Sequence, residues 1–459
     1  MPFDPTLAAI RFGYGLSPTV AAPVSVDDML AQVRGPDEAG CAFRIPHMDQ
    51  MWPSHGEFVR LTRLRRQNDG TEVGAQAAED LKTIQRQVRV VQYQSFRAVV
   101  QRGVSTSDGL RERLVRFWAD HFTAQSDRAV TRHLVAAYVE EAIRPHVMGR
   151  FSDMLRAVVT HPVMVLYLDQ EQSMGPNSRQ AAQRDRGLNE NLAREVLELH
   201  TLGVGGPYSQ DDVRQLAELM TGLSYTPQDG FKFRFRFAEP GEEIVLGRSY
   251  GGGAPQLDDI LAAMDDLAAH PATAKHLARK LAVHFVSDTP EPALVSAVEQ
   301  ALVQTGGNLG AAVEALLTHD DAWLIDLEKV KQPFDFMLSS LRGLGVSPAS
   351  VGAADDRTVR RLAERPLRVM GQPWEQPPGP DGWAEDAAAW ITPQGMAGRI
   401  TWAMQAPKAF VDPLPDPRDF VHTALGPYAT QDIEFAANAA ESVTEGIGLI
   451  LSSPAFQRR

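Results

Sequence analysis

The 459-residue chain contains a single cysteine, Cys41. No intramolecular disulfide is available, so the fold must rest on its core, and the residue reads as a small buried hydrophobe before it reads as a reactive thiol. Long apolar runs are also missing: nothing approaches the roughly 18 to 20 residues that a membrane helix needs. Positive charge is in the minority, 45 Lys and Arg against 58 Asp and Glu, and the net charge of -13 disfavours nucleic acid or anionic lipid as the main partner. The start Met1-Pro2-Phe3-Asp4 has no basic leader before an apolar segment, which makes a cytoplasmic location the expectation if this is the whole precursor. Neither a phosphate-loop pattern, nor paired Cys-x-x-Cys, nor His-Glu-x-x-His occurs, which removes the commonest nucleotide-hydrolase, zinc-ribbon and zincin readings. Gly13-x-Gly15 has neither a preceding strand nor a third glycine, so it is no dinucleotide fingerprint.

What is present is helical periodicity. The pattern predicts a mainly α protein: a large multi-helix body with a small β-hairpin insert. Composition divides it into an N-terminal helical region (1–105), a central helical region with the candidate site (106–225), the hairpin insert (226–255), a helical region (256–345), a Pro- and Trp-rich loop (346–392) and a C-terminal helical region (393–459). Residues 57–102 are the most basic stretch, a solvated helical face or a phosphate-binding patch. Phe231 to Phe237 alternates aromatic with cation and reads as one strand, with Ile244-Val245-Leu246 returning as the second. Gly247-Arg248-Ser249-Tyr250-Gly251 matches the esterase elbow pattern. The glycines after it, Gly252-Gly253, fit a hairpin exit and not the strand-to-helix turn that such a nucleophile requires.

The most informative segment runs from Asn189 to Gly203. On a helical wheel Leu188, Leu192, Val196, Leu199 and Gly203 make an apolar stripe, with Asn191, Glu195 and Glu198 on one polar arc and Asn189 and His200 on the opposite edge. Glu195 and His200 fall roughly 140° apart, too far to share one metal unless the helix is broken between them. In the 109–122 helix, Leu114, Phe117, Trp118 and His121 share a face, so His121 points inward. The strongest constellation is therefore His121, Asp169, Asn191, Glu195 and Glu198. Two carboxylates one turn apart with a histidine from another helix can hold a divalent cation or run acid–base chemistry. His121, Glu195 and Glu198 are the candidate metal ligands. The competing reading is a structural network in which Arg194 and Arg186 pair with the carboxylates. His200 is a second candidate base, or a histidine favoured by the helix dipole. Trp374, Trp383 and Trp390 in the Pro-rich loop form either a ligand-facing aromatic wall or a rigid cover for the core.

Phe117-Trp118-Ala119-Asp120-His121-Phe122, Tyr167-Leu168-Asp169, the 189–203 helix, Gly371-Gln372-Pro373 with Pro377-Pro378, and Gly382-Trp383 with Trp390 resemble the bacterial domain-of-unknown-function family 1800 over nearly the whole chain. That resemblance implies a large, mainly helical protein without an established reaction. It also implies relatives that often carry export signals and are often encoded beside a sulfatase- or phosphatase-like protein. This chain reads Phe237-Ala238-Glu239-Pro240 where relatives often carry a His-Asp pair. Two functions are then open: an enzyme using Glu195, Glu198 and His121 with a divalent metal or in proton transfer, or a non-catalytic partner or maturation factor of the neighbouring protein.

Overall fold

A computed structural model describes residues 3–125, 131–181, 187–227 and 230–459. Helices dominate, and the strands form only two small two-stranded antiparallel sheets among the described residues. Local chemistry sets most helix ends. Ser54, Thr71, Ser209 and Thr392 cap helices with their side-chain oxygens, and Ser209 with Asp212 forms a reciprocal capping box. The basic stretch becomes two helices, His55–Gln67 and Glu72–Ser105, zipped together by a small apolar cluster of Leu61, Ala77, Leu81, Ile84 and Val88.

Two larger cores lie beyond that hairpin. One gathers Phe12, Trp118, Phe122, Phe151, Leu192, Leu277 and Phe285; the other gathers Tyr14, Phe96, Phe334, Phe336, Trp374, Trp402 and Phe456. The Glu72–Ser105 helix contributes to both, through Ala98 on one side and Phe96, Val100 and Val104 on the other. Gly103 is where it meets the Pro333–Gly343 helix: a Cβ there would lie 2.4 Å from Leu338.

Several elements differ from expectation. β1 (Leu223–Thr226) pairs with β2 (Gly230–Phe233), so the aromatic–cation strand ends at Phe233 and its partner lies upstream. Its second half turns instead, the Arg234 amide donating to Gly222 O at 2.8 Å and the Phe237 amide to Arg234 O at 2.8 Å. β3 (Glu242–Val245) pairs with β4 (Arg248–Gly251) across Leu246-Gly247, both at positive φ, the mirror-image turn that suits strand twist. Ser249 is thus an exposed hairpin residue and no nucleophile elbow. The C-terminal helical region contains two separate helices, Gln431–Ala439 and Val443–Ser452, because Ser442 caps a new helix. A further helix, Pro417–Leu425, starts with Asp416 as cap and Pro417 in its first turn, where a proline costs nothing. Cys41 is exposed, since the short Glu38–Ala42 helix buries no residue. No described helix is long and apolar enough to cross a membrane.

Among the described residues four short stretches wind as π-helix: Ala8–Phe12, Val139–Ile143, Val196–Thr201 and Arg360–Glu364. Such turns are rare and concentrate at functional sites. The third lies in the central helix.

Candidate functional site

The central helix is α over Asn191–Glu195 and π over Val196–Thr201, with the Leu202 amide donating to Leu197 O at 3.0 Å and Thr201 Oγ1 to Val196 O at 2.6 Å. A π turn holds more residues than an α turn, so it rotates the later side chains back around the axis. His200 moves onto the buried stripe, 1% exposed, and Leu199 moves to its edge. The helix thus changes type between Glu195 and His200, so the wheel, which assumed one helix type throughout, does not describe their separation.

Asp108 caps the Gly109–His121 helix, and its inward face carries Leu114, Phe117, Trp118 and His121 into the core as expected. The Pro271–Phe285 helix packs nearby and brings His276, Lys280 and His284, spaced i, i+4 and i+8, so all three share one face. Around them the polar groups divide into two sets.

The inner set is held by ion pairs, although Nε of Arg113 and Nε of Arg459 have no hydrogen-bond partner. Arg113 and Arg459 both bind Asp335, Arg459 Nη1 at 2.9 Å. Arg113 Nη2 also donates to His284 Nε2 at 2.9 Å, while His284 Nδ1 donates to Glu385 Oε1 at 2.6 Å. These partners fix His284 as the neutral Nδ1–H tautomer. Lys329 Nζ reaches Asp288 at 2.6 Å and Glu385 at 3.0 Å. Burial opposes the Glu385 charge, yet His284 and Lys329 outweigh it and hold the carboxyl well below its usual range.

The outer set is not paired. His121 Nε2 donates to His200 O at 3.1 Å and His276 Nε2 to Leu199 O at 3.1 Å. The His121 ring lies 6.1 Å from those of both His200 and His276. Buried Nδ1 atoms of His121 and His200 have no hydrogen-bond partner. Burial first, then the nearby Lys280 charge, keeps the three imidazoles neutral: His121 is lowered well below normal, His200 to about 3 and His276 to about 4. Lys280 is half-buried and forms no ion pair among the described residues. Burial lowers its pKa, and the charges of Asp120, Glu385 and Asp381 oppose that shift. Asp120 is pushed up to about 7 by burial, against the pull of Lys280.

Two motifs meet at Asp120. The Trp383 amide donates to its Oδ1 at 2.9 Å. Gly382, at φ +81°, lies so close that a Cβ would sit 2.7 Å from that same oxygen. The loop is thus clasped to the 109–121 helix through a carboxylate, with Asp120, Arg116, Glu375 and Trp383 lining a small pocket of about 40 Å³. Trp374 and Trp390 are buried, in keeping with the covering role.

Glu195 and Glu198 lie at the rim. Burial, then Glu198 and Asp381, raises Glu195 to about 7. Arg194 donates to Glu198 at 3.1 Å and to Glu190 at 3.2 Å. Arg186, the other expected partner, lies outside the described residues. Asn191 is exposed, and its amide donates to Asn189 Oδ1 at 2.9 Å. Asp169 adopts a left-handed conformation and accepts from Gln172 at 2.9 Å, while the Asn189 side chain binds the carbonyls of Leu168 and Asp169.

The structure therefore brings His121 together with His200, and Glu195 with Glu198 and Arg194. Among the described residues no ion pair joins the two groups, and the Asn191 amide bonds to Asn189, whose side chain runs to the 168–169 turn rather than to His121. Among the described residues no three His, Cys, Asp or Glu side chains form a set that could hold a metal ion. The sequence reading missed Asp120, His276, Lys280, Asp381 and Glu385. The i, i+4, i+8 spacing of His276, Lys280 and His284 was the available signal.

A large helical scaffold with a buried polar cluster where its helices converge is the class that fold and site define. The chain belongs to the family described as protein of unknown function (DUF1800), whose family model matches residues 8–458. No curated protein and no solved structure matches it.

Proposed function

We propose that the outer set is a proton-transfer site, with Lys280 as base and Asp120 as acid. The observation that carries this reading is Lys280 itself: an amine half-buried beside three neutral imidazoles, without the ion pair that a structural lysine keeps. The inner set supplies the contrast, because Lys329 there is held by two carboxylates. Burial moves the Lys280 amine and the Asp120 carboxyl towards their neutral forms, which are the forms that accept and donate a proton. Oδ1 of Asp120 accepts from the Trp383 amide, which leaves Oδ2 to carry the proton. Glu195, also raised to about 7, and the exposed Asp381, whose charge acts on both Glu195 and Lys280, add carboxyl groups at the rim of the cluster.

The test is pulse acylation of the full chain with an amine-reactive reagent across pH 6 to 9, read by peptide mapping. Lys280 is expected to react at neutral pH, with a rate that follows a pKa below its ordinary 10.5. If Lys280 is inert, or titrates like exposed Lys82, the cluster is structural and this reading fails.

A second reading, a partner protein, is supported by an apolar groove of about 380 Å³ between the Arg365–Val369 and Pro393–Gln405 helices, lined by Pro366, Val369, Ala397 and Trp402 and flanked by Arg361 and Arg365. Val369, in its lining, is exposed.

A further inference from the structure

The basic stretch and the Trp-rich loop meet at a second concavity, of about 120 Å³. Arg89, Tyr93 and Phe96 come from the Glu72–Ser105 helix, Arg368 from the Arg365–Val369 helix, and Trp374 from the loop, with Arg132 completing the wall. Three guanidinium groups thus face one carboxylate, Glu364, in a protein whose net charge is -13. Glu364 is already engaged: the Tyr93 hydroxyl donates to its Oε2 at 2.7 Å. Arg89 and Arg368 form no ion pair among the described residues, and Arg368 has only a Gln376 amide oxygen at 3.3 Å.

A neutral donor stands beside them. Trp374 is 8% exposed and lines this pocket, and its indole Nε1 has no hydrogen-bond partner. The ring is fixed by Phe96 edge-on at 5.0 Å and by the Arg116 guanidinium at 4.8 Å on its face, so the N–H cannot readily turn to find an acceptor. Buried donors without acceptors are rare in folded proteins and call for an explanation. Planar guanidinium forks on one wall, beside an indole whose N–H lacks an acceptor, are the groups that oxygen atoms of a small anion satisfy. The volume falls below the roughly 300 Å³ of a pocket that encloses a whole drug-sized ligand. It suits a single phosphate or carboxylate, or that end of a larger molecule.

We propose that Arg89, Arg368 and Trp374 form an oxyanion-binding site, taking a phosphorylated or carboxylated small molecule. The proposal does not depend on the Lys280 cluster. Its test is titration of the full chain with inorganic phosphate and, separately, with succinate, followed by calorimetry and by tryptophan fluorescence. Saturable binding of at least one anion is expected, and the tighter of the two tells whether phosphate or carboxylate is the natural group. Arg89→Gln and Arg368→Gln, both at exposed positions, are each expected to weaken it by about tenfold with the fold unchanged by circular dichroism. Tyr93→Phe is expected to weaken it as well, because Glu364 is then released to compete for the guanidinium groups. Arg361→Gln, in the separate apolar groove, should leave the affinity unaltered. Absence of saturable binding for both anions, or equal binding by the Arg89 and Arg368 variants, overturns the assignment.

Discussion

Replacing Gly382 by alanine should loosen the clasp between the Trp-rich loop and Asp120, and its cost can be separated into two parts. Any L-residue at φ +81° carries left-handed strain of about 1 to 2 kcal/mol. The new Cβ would also stand 2.7 Å from Asp120 Oδ1 and 2.8 Å from its carbonyl oxygen. Neither atom is the end of a long flexible side chain, so the loop must move away and the 2.9 Å bond from the Trp383 amide is lost. A hydrogen bond to a charged or partly charged carboxyl contributes about 1.5 to 3 kcal/mol. Gly371 provides the control: it has φ +98° but nothing within 4 Å of its Cβ position, so Gly371→Ala carries the strain alone. Native-state hydrogen exchange at the Trp383 amide is the assay, because it reads the local opening directly in a chain too large for a single two-state unfolding energy. At about 1.4 kcal/mol per tenfold, the lost bond alone should lower protection at Trp383 by about 10- to 140-fold in Gly382→Ala, whereas protection there should stay nearly unchanged in Gly371→Ala. Equal protection in the two variants would refute the claim that the loop is held through Asp120.

Two further expectations concern buried charge. Folded His200 titrates at about 3 and an unfolded histidine at about 6.5, so this stability is present above pH 6.5 and is lost as the pH falls towards 3. At pH 5 the unfolded chain gains about 2 kcal/mol from protonating that one residue, so the thermal midpoint of the native chain should drop between pH 7 and 5 more steeply than that of His200→Gln; parallel curves would count against a neutral buried imidazole. Asp335→Asn leaves the buried guanidinium groups of Arg113 and Arg459 uncompensated and should cost about 3 to 5 kcal/mol, whereas Asp416→Asn, in an exposed pair with Arg418, should cost almost nothing. Matching denaturant midpoints for these two variants would show that the inner set is not a stability element.

Much of the helical framework was legible because capping and periodicity are local. Ser209 with Asp212, and Asp108 before the 109–121 face, mark their helices without reference to anything distant. Inward placement of His121 came from the same periodicity. Strand pairing was not legible, since Phe231 and Phe233 fit either neighbour by alternation alone, while the observed packing needs a glycine at 222, where a Cβ would stand 2.8 Å from the Phe233 ring. The Pro417–Leu425 helix was hidden by prolines that read as coil but serve as a first turn. For the site, the wheel placed Glu195 and His200 by assuming one helix type throughout. It also gave weight to residues clustered in sequence, whereas Lys280, Asp120 and Asp381 are joined only by packing across 100 to 260 positions of chain.

The π turn at Val196–Thr201 makes residue count part of the message. Winding the same residues as an ordinary α-helix would leave every side chain in the sequence and change only where each one points. His200 would swing back to the polar edge, its carbonyl would leave His121, and Gly203 would no longer lie where its bare backbone admits the His276 ring, whose Nδ1 is 2.9 Å from the position of a Cβ. An alignment, which compares residue identities alone, would report all of these residues as retained. In this helix, spacing is inherited as surely as side chains are.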